Sequence, residues 1–314
     1  MPTVRVTGQG VQESLLQVLP SLIIRPDFNQ SPFSRNSRRF ISTGMTDKYA
    51  VIGNPIGHSK SPLIHTMFAK QTGQDISYEA ILAPLDGFAA TIARLREEGY
   101  KGCNITVPFK FEAFQLCTKL TGRARAAQAV NTLVLEAAET LGDNTDGAGL
   151  VADIEQNLDS KLMFQKVLLM GAGGAAHGVI WQLFNAGASI IVANRTVDKA
   201  EQLAAEFAGY GTVSAKSYEA LAGQQFDMVI NATSSSLNDA LPPLPAGLFK
   251  PGALAYDMMY GKETPFMKFA REQGAARIAD GLGMLVEQAA EAFRIWRGIR
   301  PDTRPILEEL RSKK

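Results

Sequence analysis

Four short polar segments hold the side chains from which chemistry could be built. They are Gly57-His58-Ser59-Lys60-Ser61-Pro62, Asn104-Ile105-Thr106-Val107-Pro108-Phe109-Lys110, Ala129-Val130-Asn131-Thr132 and Gly142-Asp143-Asn144-Thr145-Asp146-Gly147. Each stands beside an apolar stretch. Together they offer hydroxyls, amides, a lysine and a carboxylate, with no Ser-His-Asp order and no metal-ligand set. That inventory suits a small, multiply hydroxylated molecule held by hydrogen bonds. Each segment alone also has a purely structural use. Ser61 can cap a helix, Asn131 can fix a turn, and Asp146 can cap the helix that follows it.

A fifth segment points to a nucleotide. Lys166–Met170 reads as an apolar strand and runs directly into Gly171-Ala172-Gly173-Gly174-Ala175-Ala176, after which a helix begins. Glycines allow the tight turn and let the backbone approach a pyrophosphate. The helix N-terminus then offers free N–H groups and a positive dipole end. A glycine-rich turn without a ligand is the alternative, and the strand–loop–helix context favours the dinucleotide. The next strand, Ser189–Ala193, ends in Asn194-Arg195-Thr196 and not in the acid that accepts from a ribose 2′-hydroxyl. Arg195 can face a 2′-phosphate or lie on the adenine. Lys199 adds a second positive charge, partly offset by Asp198. NADP is therefore favoured over NAD, with a solvated surface Arg195 as the alternative.

The elements that must place these segments alternate from residue 45 onward. Residues 49–53, 78–83 and 102–107 read as strands. Helices are expected from Ser61-Pro62, with Ser61 as N-cap, over 86–98 with Gly99 at its end, and over 110–117. A parallel sheet with covering helices follows from that order. A second series begins after Gly147. Its strands are the two named above plus 228–232 and 254–258. Its helices follow the glycine loop, ending at Gly187, and span 199–208 and 284–296. The fold class is α/β.

Composition narrows the function classes. The 314 residues suit about two domains. The chain has 32 Lys+Arg against 31 Asp+Glu, a net charge of +1, which argues against a dedicated nucleic-acid binder and gives no pull toward an anionic membrane. The two cysteines exclude a disulfide framework. Three scattered histidines are too few for a zinc site, so no metal is expected. No apolar run reaches the roughly 18 residues of a membrane span. Residues 1–44 stand apart, with Arg5, Arg25, Arg35, Arg38 and Arg39 against only Glu13 and Asp27. That composition matches an organellar transit peptide. A disordered extension or a misplaced start is the favoured reading, because Met45 is soon followed by the domain-like opening Lys48-Tyr49-Ala50-Val51-Ile52-Gly53. A cytoplasmic location is expected, with organellar targeting as the lesser alternative.

From about Lys48 to about Leu310 the chain resembles the shikimate dehydrogenases, NADP-dependent oxidoreductases of aromatic amino-acid biosynthesis. The motifs that carry the resemblance are GNPIGHSKSP, NITVPFK, AVNT, GDNTDG, GAGGA, NRT, INATSS, YDMMY and ADGLGMLVEQA, in that order. The resemblance implies two domains with the active site in the cleft between them. Residues 45–146 plus 282–314 would bind substrate and carry catalysis, and 147–281 would be a Rossmann domain for NADP. It implies reversible reduction of 3-dehydroshikimate to shikimate by NADPH, in chorismate biosynthesis. Ser59 and Ser61 would hold the shikimate carboxylate, with Tyr260 nearby. Thr106, Lys110, Asn131, Asp146 and Gln288 would bind the ring hydroxyls, with Lys110 and Asp146 as the catalytic pair. Gly171, Ala172, Gly173, Gly174 and Ala175 would cradle the phosphates. Asn194, Arg195 and Thr196 would hold the adenosine end, and Met258 and Gly281 would line the nicotinamide pocket. The family often has arginine where Lys199 stands, so contact there would be a point charge and not a fork. Two alternatives stay open: a quinate/shikimate dehydrogenase of broader specificity, and a non-catalytic NADP-binding regulatory module, disfavoured because Lys110 and Asp146 are both present. A monomer or homodimer is expected.

Overall fold

The computed structural model describes residues 46–208, 212–235 and 239–313. The expectation for residues 1–44 lies outside them. Two six-stranded sheets organise the chain. The first contains β1 (Asp47–Gly53), β2 (Ile76–Leu82), β3 (Tyr100–Ile105), β4 (Lys119–Leu120), β5 (Thr132–Leu135) and β6 (Thr140–Asp143), in the order β2-β1-β3-β5-β6-β4. The second contains β7 (Lys166–Met170), β8 (Ser189–Ala193), β9 (Val213–Lys216), β10 (Phe226–Asn231), β11 (Phe249–Asp257) and β12 (Arg277–Asp280), in the order β12-β11-β10-β7-β8-β9. The helices are α1 (Ser61–Thr72), α2 (Phe88–Glu97), α3 (Lys110–Leu116), α4 (Gly122–Ala127), α5 (Asp146–Ala152), α6 (Gly174–Asn185), α7 (Val197–Phe207), α8 (Pro265–Glu272), α9 (Leu282–Arg297) and α10 (Arg304–Ser312).

Strand alternation divides each sheet's core into two faces. In the first sheet, Ala50, Ile52, Cys103 and Ile105 pack under Phe88, Ile92 and Leu95 of α2. Tyr49 points to the opposite face and meets Trp296 of α9, ring centroids 4.7 Å apart. There α9 and α10 return to cover α1, with Phe68, Val286, Phe293 and Leu307 in one cluster. In the second sheet Val167 and Leu169 face α6 and α7, while Leu168 and Met170 face α8. All its strands run parallel. Its order is that of a doubly wound dinucleotide-binding sheet, in which the chain reverses direction between β7 and β10.

The structure corrects three expectations. The first sheet is mixed, not parallel: β5 runs antiparallel to both β3 and β6. Only residues 136–139 join β5 to β6, which is hairpin length, whereas a parallel pair needs a crossover of about a dozen residues. Glu136-Ala137-Ala138-Glu139 carries none of the usual turn residues, so the hairpin was hidden. Second, Lys60 and not Ser61 occupies the N-cap of α1, and no side chain caps it. Ser61 is the first helical residue, and its backbone N–H donates to Ser59 Oγ at 3.3 Å. Third, a further helix, α10, follows the one expected at 284–296.

Helix α5 leaves the first sheet and wedges between α6 and α9. Glycines make this possible: a Cβ on Gly149 would lie 2.6 Å from the Gln288 backbone nitrogen, and one on Gly147 would lie 2.7 Å from Gln182 Cγ. Gly102 plays the same part on β3. A Cβ there would sit 2.6 Å from the Leu133 carbonyl oxygen and against Trp296 Nε1, which donates to that oxygen at 3.0 Å. Gly102→Ala should therefore destabilise the fold by about 1–3 kcal/mol, the usual cost of overpacking a filled core. Urea unfolding followed by tryptophan fluorescence checks this. An unchanged midpoint would mean that the indole can move aside freely.

Candidate active site

Lys110 owes its direction to the residue before it. Phe109 is buried and stacks on Phe88, centroids 5.0 Å apart, so the turn after β3 is anchored in the core. Lys110 opens α3 from that anchored turn, and its Nζ reaches Asp146 Oδ2 at 2.5 Å. Asp146 is the first residue of α5 and is buried. Its other oxygen accepts from Asn131 Nδ2 at 2.7 Å.

Asn131 is itself locked in place. Its carbonyl accepts from Ile105 N–H at 2.8 Å, and its own N–H donates to the Asp143 carbonyl at 3.0 Å. Its Oδ1 accepts from Thr145 N–H at 2.8 Å and from Thr132 Oγ1 at 2.9 Å. Asn144 Oδ1 accepts from the Asp146 N–H at 3.1 Å, and Asn144 Nδ2 donates to the Ala129 carbonyl at 3.0 Å. From α9, Gln288 Oε1 accepts from Thr145 Oγ1 at 3.3 Å. A buried carboxylate beside a lysine and an amide is thus fully paired, the condition under which a charge can be kept out of water.

These groups face a cavity of about 390 Å³. Ser59, Ser61, Thr106, Lys110, Asn131, Asp146, Tyr260 and Gln288, the whole set expected to bind substrate, line it together. Ser61 lines the cavity without capping the helix. A larger groove of about 800 Å³ adjoins. Gly171 to Ala175, Asn194, Arg195, Thr196, Lys199 and Met258 line that one, while Gly281 borders the smaller cavity. Lys110 and Met258 border both, so the two spaces meet at the lysine.

The groove fits a dinucleotide bearing a 2′-phosphate. It lies beyond the carboxyl ends of β7 and β10, where such sheets take ligands. Gly171 has φ +106°, a conformation that favours glycine, and a Cβ on it would lie 3.1 Å from the Ala232 carbonyl oxygen. The first N–H groups of α6 have no partner within the helix and can meet phosphate oxygens. At the far end Arg195 and Lys199 are exposed cations, and Asn194 Nδ2 donates to the Thr196 carbonyl at 2.9 Å, shaping the turn. Among the described residues, no cluster of three or more histidine, cysteine or acidic side chains could hold a metal ion. Among them also, no helix is long and apolar enough to cross a membrane.

Known proteins match the chain over most of its length. The profile of the shikimate dehydrogenase substrate binding domain matches residues 51–133, that of shikimate/quinate 5-dehydrogenase matches 153–238, and that of the shikimate 5′-dehydrogenase C-terminal domain matches 281–311. The shikimate dehydrogenase (NADP(+)) of Nitrosospira multiformis is 62% identical over 270 residues, covering 85% of this chain and 98% of that one. This chain belongs to the shikimate dehydrogenase family. Among solved relatives, the Ael1 enzyme of Pseudomonas putida is 51% identical, with a TM-score of 0.80 over 84% of this chain and 98% of its own. The shikimate 5-dehydrogenase of Thermus thermophilus, solved with NADP(H) and shikimate, is 32% identical, with a TM-score of 0.76 over 85% of this chain and 99% of its own.

Three residues to which the sequence reading gave no individual role help to build the site. Asn104 lines the smaller cavity, donates to the Asn131 carbonyl at 3.2 Å, and accepts from Tyr78 Oη at 2.7 Å. It stands near the end of β3, two residues before Thr106, and that two-residue spacing could have flagged it. Asn231 and Asp257, buried at the ends of β10 and β11, join through a 3.1 Å hydrogen bond. Asn231 Oδ1 accepts from Thr233 Oγ1 at 2.7 Å and Asp257 Oδ1 from Met259 N–H at 3.0 Å, so the pair ties down both loops beside the lysine. Only the folded sheet brings these two side chains together.

An ionic cluster holds α9, and with it Gln288, against the first sheet. Arg123 grips Asp143 with two hydrogen bonds, 2.6 and 2.8 Å, and reaches Glu291 at 2.9 Å. Arg294 and Arg300 also contact Glu291, at 2.7 and 3.2 Å. Burial alone would raise the Glu291 pKa, but hydrogen bonding from Arg294 and the charges of Arg123 and Arg294 outweigh it and hold the carboxyl at about 2, below its ordinary 4.5. A folded-state pKa below the unfolded one stabilises the fold above pH ~4.5 and is lost as pH falls toward ~2. Its full size is on the order of 3 kcal/mol. Glu291→Gln should therefore be less stable at pH 7, and the gap from the native chain should close as pH falls from 4.5 to 2. Urea unfolding across that range reads the gap directly; a constant gap would contradict the assignment.

Proposed function

We propose that this chain reduces 3-dehydroshikimate to shikimate with NADPH, reversibly. The meeting of the two cavities at the Lys110–Asp146 pair carries the reading. It treats residues 45–146 with 282–314 as the substrate-binding unit and 147–281 as the NADP-binding unit. When bound, NADPH supplies the hydride to the ring carbonyl carbon.

This chain's own residues handle orientation and the proton. Ser59 and Ser61, with Tyr260 beside them, receive the ring carboxylate at the outer end of the cavity. Thr106, Asn131 and Gln288 hold the hydroxyls and fix the ring's face. The reacting oxygen then lies at Lys110. As that oxygen gains negative charge, the ammonium stabilises it and delivers a proton; in the oxidation direction the pair receives the proton back. Asp146 keeps the lysine aimed and balances its charge. At the cofactor end, Arg195 and Lys199 give the 2′-phosphate its partners and select NADP over NAD.

A spectrophotometric assay pairing shikimate and quinate with NADP⁺ and NAD⁺ tests the proposal. Turnover confined to shikimate with NADP⁺ is expected. Comparable quinate turnover would indicate the broader relative, and NADPH binding without turnover a regulatory module. Lys110→Ala should lower kcat by roughly 10² or more while leaving NADPH affinity intact. A raised KM at unchanged kcat would leave the lysine a binding role only. Arg195→Ala should weaken NADP⁺ binding by about tenfold or more, the worth of a charge-assisted contact, with little effect on NAD⁺. Equal loss for both cofactors would place Arg195 on the adenine instead.

A further inference from the structure

Helix α6 has a bare position where it meets the site. A Cβ on Gly178 would lie 3.0 Å from Asp146 Oδ2, 3.3 Å from Asp146 Cβ and 3.5 Å from Asn144 Nδ2. Asp146 Oδ2 is the oxygen that meets Lys110. The approach is mutual, because a Cβ on Gly147, next to Asp146, would lie 2.8 Å from the Gly178 carbonyl oxygen. Gly178 stands inside α6, where glycine is a poor helix former beside alanine. Its backbone is ordinary right-handed helix, so no dihedral angle demands glycine. What a side chain at 178 would displace is the carboxylate.

We propose that Gly178 is a positioning residue of the Lys110–Asp146 pair, its missing side chain setting where the Asp146 carboxylate stands. The proposal rests on the reading of Lys110 and Asp146 as the proton pair. Helix α6 begins in the glycine loop, so one rigid element takes the cofactor phosphates at its first turn and fixes the acid one turn later. A methyl at 178 pushes Oδ2 by a few tenths of an ångström, and the hydrogen bonds from Lys110 and Asn131 cannot both follow. A valine pushes it further.

The test is a cycle of Gly178→Ala, Gly178→Val and Asp146→Ala, singly and combined. Readouts are kcat, KM for shikimate, the calorimetric Kd of shikimate and of NADP⁺ each measured alone, and the thermal midpoint. Gly178→Ala should lower kcat/KM for shikimate about fivefold and Gly178→Val about 50-fold or more, because small misplacements of catalytic groups carry large rate costs. The NADP⁺ Kd should stay within about twofold. In the Asp146→Ala background, adding Gly178→Ala should change shikimate Kd and residual rate less than about twofold, since the carboxylate that makes the tightest contact is gone and, of residue 146, only the 3.3 Å contact to Cβ remains.

Equal losses in both backgrounds, a loss explained wholly by NADP⁺ binding, or near-native kcat/KM in both glycine variants would overturn the proposal. If Gly178→Val does not fold, folding of the Asp146→Ala/Gly178→Val double variant supports it, and failure of both overturns it. Native turnover in Asp146→Ala alone would remove the proton pair, and the positioning role with it. That outcome is distinct from one in which Asp146→Ala is crippled and the glycine variants are not.

Discussion

The carboxylate of Asp146 is bound from two sides at once, by Lys110 at 2.5 Å and by Asn131 at 2.7 Å. Lys110 opens α3 and Asn131 stands just before β5, whereas Asp146 opens α5, the helix that leaves the first sheet. A buried acid so placed is stable only while every partner stays in place, because loss of one strands a charge in a poorly hydrated site. Much of the surrounding structure can be understood as keeping those partners where they are. Phe109 anchors the lysine's turn, the backbone of Asn131 is pinned between β3 and β6, and Arg123 clamps Asp143, three residues before the acid, to α9.

The same constraint explains where the glycines fall. Helix α5 can deliver Asp146 only by lying closer to α6 and α9 than ordinary side chains permit, and Gly147, Gly149 and Gly178 clear that space. Close packing of this kind trades helix propensity for geometry. It also lets α5, which carries Asp146, pack directly on α6, whose first turn borders the cofactor groove. Loop ends tied by Asn231 and Asp257 close the remaining side.

Sequence alone revealed what is local. The glycine loop between strand and helix, the Asn194-Arg195-Thr196 ending of β8, and the polar segments after apolar strands each state their role within a few residues. Lys166–Met170 and Ser189–Ala193 are found at their expected limits because buried parallel strands read as uninterrupted apolar runs. What stayed hidden depends on partners far along the chain. The β5–β6 hairpin turns on Glu and Ala, so nothing punctuates it. Ser61 looked like a cap, yet Lys60 takes that position and Ser61 lines the cavity instead. Asp257 carries no local sign of its place, since its partner lies 26 residues away. Gly178 is invisible for the same reason, being one glycine among 28 until α5 is laid across it.

The most direct test of this account is a crystal structure of the chain with NADP⁺ and shikimate bound together. The account predicts the hydroxyl that becomes the ketone within about 3 Å of Lys110 Nζ. It also predicts the ring carboxylate at Ser59 and Ser61, and the Lys110–Asp146 contact intact. A shikimate bound the other way round, with its carboxylate on Lys110, would contradict it, as would a reacting hydroxyl beyond the reach of both Lys110 and Asp146.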